Sequence, residues 1–404
     1  MTTKNIFLFA PKLYNIVVGS KKHGLVLTCI SGLNSTNLET LIVLAMNPFG
    51  KTIIPCIGWI QTKSISGGYR MKFNELTAEQ LKSVIEGRSI AERVPMTYHF
   101  WTSPATYGKD EEKARILLDT YPNDISSIGI RMPDIFTAPE DDPEYRWVNY
   151  DDPNEGGVVA LDSKCAIHDW GLLDGILDDF PDPEYKGMFP YKPADDGKYR
   201  LGTIWYCLFE RLWSLRGMQN ALTDFYTDPA SVHRLFRALT DFYMRVMERG
   251  KEEMGLDGIF TSDDIGTQTG PFFSPAIFNE FFKPYYKELI DKAHSLGMHF
   301  WLHTCGNIEK FLPDFIEIGL DVIHPIQALA KDMEPRKLKE SFGDRVAFCG
   351  GVDAQNLLVN GTPQEVREKV LELKEIFPTG LIISPSHEAI LPDIPPENIE
   401  ALFK

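Results

Sequence analysis

Paired cysteines are missing from this chain. Its six cysteines, at 29, 56, 165, 207, 305 and 349, are scattered with no paired spacing, so a reducing, cytoplasmic setting is the simplest expectation. Long apolar runs are missing as well. No uncharged apolar stretch reaches the length of a membrane span, and the run at 41–49 is too short,. No Gly-x-Gly-x-x-Gly follows an expected strand, which leaves a dinucleotide-binding fold little support. Basic residues are in deficit: 41 Lys and Arg stand against 57 Asp and Glu, a net charge of −16. That balance argues against nucleic acid or an anionic membrane as partner, and against a substrate carrying many carboxylates.

Acids are almost absent from the first 70 residues, which hold one (Glu39) beside seven Lys and Arg, whereas the remainder carries a net −22. This segment shows no helical or strand period of useful length, and it is too apolar and too poorly amphipathic for a transit peptide. Met71 opens a stretch of different character. Residues 1–70 are therefore expected to lie outside the fold, with Met71 as the native start.

What is present suits a large core: 404 residues, 43% hydrophobic and 24% charged, in one large domain or two,. From residue 71 onward, strand-like and helix-like segments alternate. Strands are expected at 94–100, 124–130, 200–206, 258–261, 299–303, 322–327, 346–349 and 381–384. Helices are expected at 77–87, 111–118, 208–225, 229–254, 275–296, 308–318, 335–341, 363–376 and from 396. Residues 133–198, rich in Pro, Asp and Gly, read as an irregular insertion with short strands near Trp147 and Val158 and a short helix near 169–177. Alternating strands and helices imply parallel strands joined by crossovers, and about eight such units imply a (β/α)8 TIM barrel. An open doubly wound sheet is the other arrangement.

In a barrel the active site lies where the strands end. That position holds His99 and Trp101, Trp205, Asp263 and Asp264, His303 and Cys305, His324 and Gln327, Cys349 and Asp353, and His387. Polar residues recurring there in consecutive units are hard to explain as core. The stretch Met298-His-Phe-Trp-Leu-His-Thr-Cys-Gly306 puts His303 and Cys305 on one face of an extended chain, and an imidazole beside a thiolate is a zinc-type ligand pair. Of Asp263 and Asp264 only one can face the pocket, and Asp263 is the residue expected to orient His303. Asp353 either meets a substrate N–H or caps the next helix. His99, Trp101, Trp205 and Trp213 would form an aromatic wall.

These motifs resemble the uroporphyrinogen decarboxylase superfamily over roughly four-fifths of the chain. The matching stretches are Arg93-Val-Pro-Met96, Thr261-Ser-Asp-Asp-Ile-Gly266, His303-Thr-Cys-Gly-Asn307, Gly319-Leu-Asp321, Gly350-Gly-Val-Asp353 and Ser384-Pro-Ser-His387. The resemblance implies the (β/α)8 barrel and two possible chemistries.

One is cofactor-free decarboxylation of uroporphyrinogen. It implies an Arg-rich motif, where 88–110 has only Arg88 and Arg93. It also implies an Asp closing the second strand, where Asp124 stands at that strand's start, and a last-strand His, matched by His387. The other is zinc-dependent methyl transfer between a corrinoid carrier protein and a thiol or folate-type partner. It implies a His-x-Cys pair, matched by His303 and Cys305, and a last-strand Cys, where His387 stands, sometimes with a Glu between, where Gln327 stands. The expected metal set is thus His303, Cys305 and His387, with Asp263 as a catalytic neighbour and His99, Trp101, Trp205, Gln327 and Asp353 lining a small-molecule site. A third possibility is a barrel without chemistry that binds a corrinoid or its carrier. Mass spectrometry of the native N-terminus is expected to find Met71 first; a peptide from 1–70 in the mature protein overturns that start.

Overall fold

The computed structural model describes residues 75–89, 91, 93–97, 104–121, 124–131, 145, 147, 166–189, 192–387 and 390–403, together with the backbone of three earlier strands. His99, Trp101 and the strand expected near Val158 lie outside the described residues. By their internal contacts the residues form two compact units, Met1–Lys72 and Phe73–Lys404.

In the first unit, β1 (Val26–Ile30), β2 (Thr40–Met46) and β3 (Thr52–Trp59) form an antiparallel meander. The sequence showed no strand period in this segment, and the strands form without one. Its strands are almost uniformly apolar runs rich in Val and Ile, which show no alternation yet favour the extended chain.

The second unit is built on seven parallel strands in the order β10-β9-β8-β7-β6-β5-β4. They are β4 (Ile125–Gly129), β5 (Tyr199–Ile204), β6 (Gly258–Ser262), β7 (His299–His303), β8 (Val322–Ile326), β9 (Ala347–Val352) and β10 (Leu381–Pro385). Residues 95–97 take the eighth place. The Ile383 N–H donates to Pro95 C=O (2.8 Å), Thr97 N–H donates to Ile383 C=O (2.9 Å), and Asp124 N–H donates to Met96 C=O (3.2 Å). The segment therefore spans the gap between β10 and the start of β4.

Side chains alternate across this sheet. Ile125, Tyr199, Leu201, Phe260, Trp301, Val322, Ala347, Cys349 and Ile382 form one buried cluster inside the barrel. Ile128, Ile204, Ile259, Phe300, Leu302, Ile323, Phe348 and Ile383 belong to the larger layer between strands and helices. A two-residue period on strands closed into a barrel yields these two cores. Helix α1 (Ala78–Ile85) adds Leu81 and Ile85 to the inner cluster. It plugs the end where the strands begin, with Ala78 N–H donating to Gly197 C=O (2.9 Å) and Lys82 paired to Asp257 (2.5 Å). Its start is a capping box, Thr77 and Gln80 each bonding the other's backbone,.

The outer helices are α2 (Glu111–Thr120), α3 (Leu173–Asp178), α4 (Phe209–Arg216), α5 (Met218–Thr227), α6 (Pro229–Met254), α7 (Pro275–Ile277), α8 (Lys283–Ser295), α9 (Leu312–Glu317), α10 (Pro335–Phe342), α11 (Leu357–Asn360), α12 (Pro363–Ile376) and α13 (Pro396–Phe403). Two expected helices are divided. Gly217, at φ +75°, separates α4 from α5,, and a π-helical stretch at Phe278–Phe282 joins α7 to α8. No helix among the described residues is long and apolar enough to cross a membrane.

Asp124 holds the eighth strand in place. Fully buried, it accepts both Arg93 guanidinium nitrogens (2.7 and 2.5 Å) and the N–H groups of Leu76 (3.0 Å) and Met96 (2.9 Å). Asp124→Ala strands Arg93 and two amides, and is expected to cost about 3–5 kcal/mol in urea unfolding. A loss under about 1 kcal/mol would remove the carboxylate from any closing role.

Candidate functional site

At the open end of the barrel the strand parity continues into the loops. On β7, His303 shares the inner face of Trp301. On β6, Ser262 follows Phe260 inward, and Asp264 follows Ser262. These residues converge. His303 Nε2 lies 3.5 Å from Cys305 Sγ and 3.6 Å from Asp264 Oδ1, and the donor atoms of the three side chains all lie within 4.8 Å of one another.

The loops carrying Asp264 and Cys305 are locked to each other through backbone N–H groups. Cys305 N–H donates to Asp264 Oδ1 (2.7 Å), Ile265 N–H to Thr304 Oγ1 (3.1 Å) and Asn307 N–H to Thr267 C=O (2.7 Å). Gly306 sits at φ +86°, where a Cβ would meet Gly266 C at 2.6 Å and Thr267 O at 2.7 Å. Only glycine lets the loops approach this closely. Gln327 buttresses the same turn, its Oε1 accepting Gly306 N–H (2.6 Å).

The expectation that Asp263 orients His303 is corrected. Asp263 follows Ile259 and Thr261 on the outer face, where Oδ1 accepts Glu210 N–H (2.7 Å) and Oδ2 accepts Tyr286 O–H (2.5 Å). Its carboxylate also meets the amides of Leu208 and Phe209, so it caps α4, and burial pushes its pKa up to about 6,. Asp264 is the aspartate beside His303. The third expected metal ligand, His387, stands outside the three-residue cluster. It is half-buried, bonds Ser386 Oγ through Nδ1 (3.2 Å), and is held below the ordinary imidazole range by burial, against the pull of Asp353 and Asp264.

Asp353 makes the capping contacts: its oxygens accept the N–H groups of Gln355 (2.9 Å), Asn356 (3.0 Å) and Leu357 (2.9 Å). Trp205 stands over the cluster, its ring edge-on to that of His303 at 5.7 Å. Trp213 is buried in α4 against Tyr206, away from any wall with Trp205. Cys349 is inside the barrel core, where burial drives its thiol pKa far up.

Two more neighbours stand here: His324, which the sequence placed at a strand end, and Glu210, which it did not single out. His324 faces His303 from β8, Nδ1 to Nδ1 at 2.8 Å. Glu210, near the start of α4, accepts Ser262 Oγ–H at 2.5 Å. Burial, then the negative charges of Asp264 and Asp263, push Glu210 up to about 8, against the help of Ser262 and Arg211. Asp264 lies two-residue steps on from Phe260 and Ser262, but the wholly buried β6 does not show which parity faces inward. Glu210 had no sequence signal, because the Asp263 cap that brings it there is a long-range contact.

An inward-facing carboxylate, imidazole and thiol at the mouth of a (β/α)8 barrel are a donor set that could hold a metal ion,. Residues 209–404, just under half of the chain, match the uroporphyrinogen decarboxylase (URO-D) family. A methylated-thiol–coenzyme M methyltransferase of Methanosarcina mazei is 27% identical over 207 residues, 50% of each chain; the chain thus spans about half the length of this curated relative. A solved methyltransferase structure from Methanosarcina mazei shares the fold at a TM-score of 0.52 and 17% identity, over 81% of this chain and 97% of that one.

A pH experiment tests the buried Glu210. The folded protein holds its proton up to about pH 8, while an unfolded chain releases it near pH 4.5. Between those values the unfolded state binds fewer protons, so this group's contribution to stability falls as pH rises. Glu210→Gln lacks that slope, and should gain on the wild type by on the order of a few kcal/mol between pH 5 and pH 8 in urea unfolding. Asp263 titrates in both proteins and, being coupled to Glu210, changes the size of the difference but not its sign,. Parallel pH profiles would show that the carboxyl is not held neutral.

Proposed function

We propose that this chain is a zinc-dependent methyltransferase that moves a methyl group between a corrinoid carrier protein and a small thiol. The observation that carries the reading is the convergence of Asp264, His303 and Cys305 within 4.8 Å. Carboxylate oxygen, imidazole nitrogen and thiolate sulfur are all zinc donors, and three protein ligands leave a fourth position for substrate. The donor set therefore fits the ion. His387, in the same mouth, is available to the substrate rather than to the cluster. The relative named above supports the thiol side of the reaction, since its name describes a methylated thiol and coenzyme M.

Bound at this cluster, zinc would supply Lewis acidity, lowering the pKa of a coordinated thiol so that it is held as the nucleophilic thiolate. The protein's part is positional. Cys305 N–H holds the Asp264 carboxylate against the thiol's own loop, and the locked loops fix the distance between the two side chains. Trp205 packs its ring edge-on against His303. Glu210, protonated at neutral pH, lowers the negative charge facing an incoming thiolate.

The test is metal analysis of the purified protein beside a methyl-transfer assay with thiol and methyl-corrinoid. The wild type is expected to carry about one zinc per chain; Cys305→Ala and Asp264→Ala lose the metal and the activity together, and His387→Ala keeps the metal. Zinc retained in Cys305→Ala, or decarboxylation of uroporphyrinogen by metal-free protein, would overturn the proposal in favour of the cofactor-free chemistry. Corrinoid binding without turnover would instead leave a binding protein.

A further inference from the structure

His303 has two ring nitrogens facing two different environments. Nε2 faces Cys305 Sγ (3.5 Å) and Asp264 Oδ1 (3.6 Å). Nδ1 faces Nδ1 of His324 at 2.8 Å. Both histidines are 2% exposed. Their rings lie 5.0 Å apart, tilted by 38°, and Phe260 packs against both at 5.7 and 5.4 Å. The backbone holds them in register: His303 on β7 pairs His324 on β8, and Thr304 N–H donates to His324 C=O (2.8 Å).

A nitrogen–nitrogen contact of 2.8 Å between neutral imidazoles contains one proton, so one ring donates and the other accepts. A nitrogen that binds a metal offers a lone pair and carries no proton. For His303 the ligand nitrogen is Nε2, which places its proton on Nδ1, donated to His324. The accepting His324 then carries its own proton on Nε2. One hydrogen bond sets the tautomer of both rings.

We propose that His324 is the positioning residue of this site, accepting a hydrogen bond from His303 Nδ1–H and so holding the Nε2 lone pair toward Asp264 and Cys305. The proposal rests on reading that cluster as a metal site. Partners of this kind, one step out from the ligands, commonly change metal affinity by about 10–100-fold.

Three variants separate positioning from mere packing. His324→Asn keeps an acceptor at the reach of Nδ1. His324→Gln carries the same amide at the reach of Nε2, and His324→Leu removes the acceptor. Two readouts are taken on each folded protein. Nitrogen-15 spectra of the histidine rings in metal-free protein, with His303 assigned through His303→Ala, are expected to show His303 as the Nδ1–H tautomer in wild type and His324→Asn, and as a mixture in the Gln and Leu variants. Zinc competition against a chelating dye is expected to leave His324→Asn within a few-fold of wild type, with the Gln and Leu variants weaker by roughly 10–100-fold. An Nε2–H His303 in the wild type, or Gln and Asn variants that bind zinc equally, would overturn the proposal. A wild type that binds no zinc sinks the metal reading instead, and the ring spectra still decide whether His324 sets the tautomer.

Discussion

The two-residue alternation of the barrel strands, carried past the strand ends by loops locked to one another, is the constraint on which the site depends. Phe260 and Trp301 face the axis. Two residues on, so do Ser262 and His303, which pair in register, and the step continues to Asp264 and Cys305. The loops beyond the strands would ordinarily lose that parity. Here the contact between Gly266 and Gly306 leaves no room for a Cβ on either residue, and the Asp264–Cys305 bond spans the same junction. The donor atoms are therefore positioned by backbone, which is stiffer than any long side chain could be.

Placing three carboxyl groups, two of them buried, beside two histidines is costly unless each has a partner,. The partners are divided by face. Outward, Asp263 is spent on the amides of α4 and on Tyr286, so its charge anchors a helix. Inward, Asp264 remains half-exposed, with the Cys305 amide as one partner. Glu210 lies between them and takes the neutral form, because burial and both aspartates oppose its ionisation,. Adjacent carboxylates thus do different work, one structural and one at the site, set only by the strand face each occupies.

The repeating units were legible in the sequence because their ends are chemically marked. Thr362, Pro363 and Glu365 spell a helix start, and α12 runs from Pro363 to Ile376 as expected,. Pro229 and Gly255 bracket α6 in the same way. His303 and Cys305 were legible because an apolar strand ends on two ligand types. The choice between Asp263 and Asp264 was not. All five residues of β6 are buried, so no polar face shows which side is inward, and a parity must be borrowed from neighbouring strands. The Glu210 contact depends on Asp263 meeting a distant amide, and no local pattern reports such a pairing.

The donor set bears on the chemistry proposed. A carboxylate in place of a last-strand thiolate keeps the count of negative ligands unchanged: Asp264 and Cys305 bring two charges, and His303 brings none. Two negative charges would balance a divalent ion, so the added thiolate is the first surplus charge in the site. What changes is softness, since oxygen donates less electron density than sulfur. A harder set favours deprotonating the thiol over enriching its sulfur. The protein's remaining lever is then the neutral Glu210, whose lost proton would place a third carboxylate charge beside that surplus. Methyl transfer by the Glu210→Gln protein, whose side chain is neutral at every pH, is accordingly expected to fall less on the alkaline side than that of the wild type; parallel profiles would show that the surplus charge is met elsewhere.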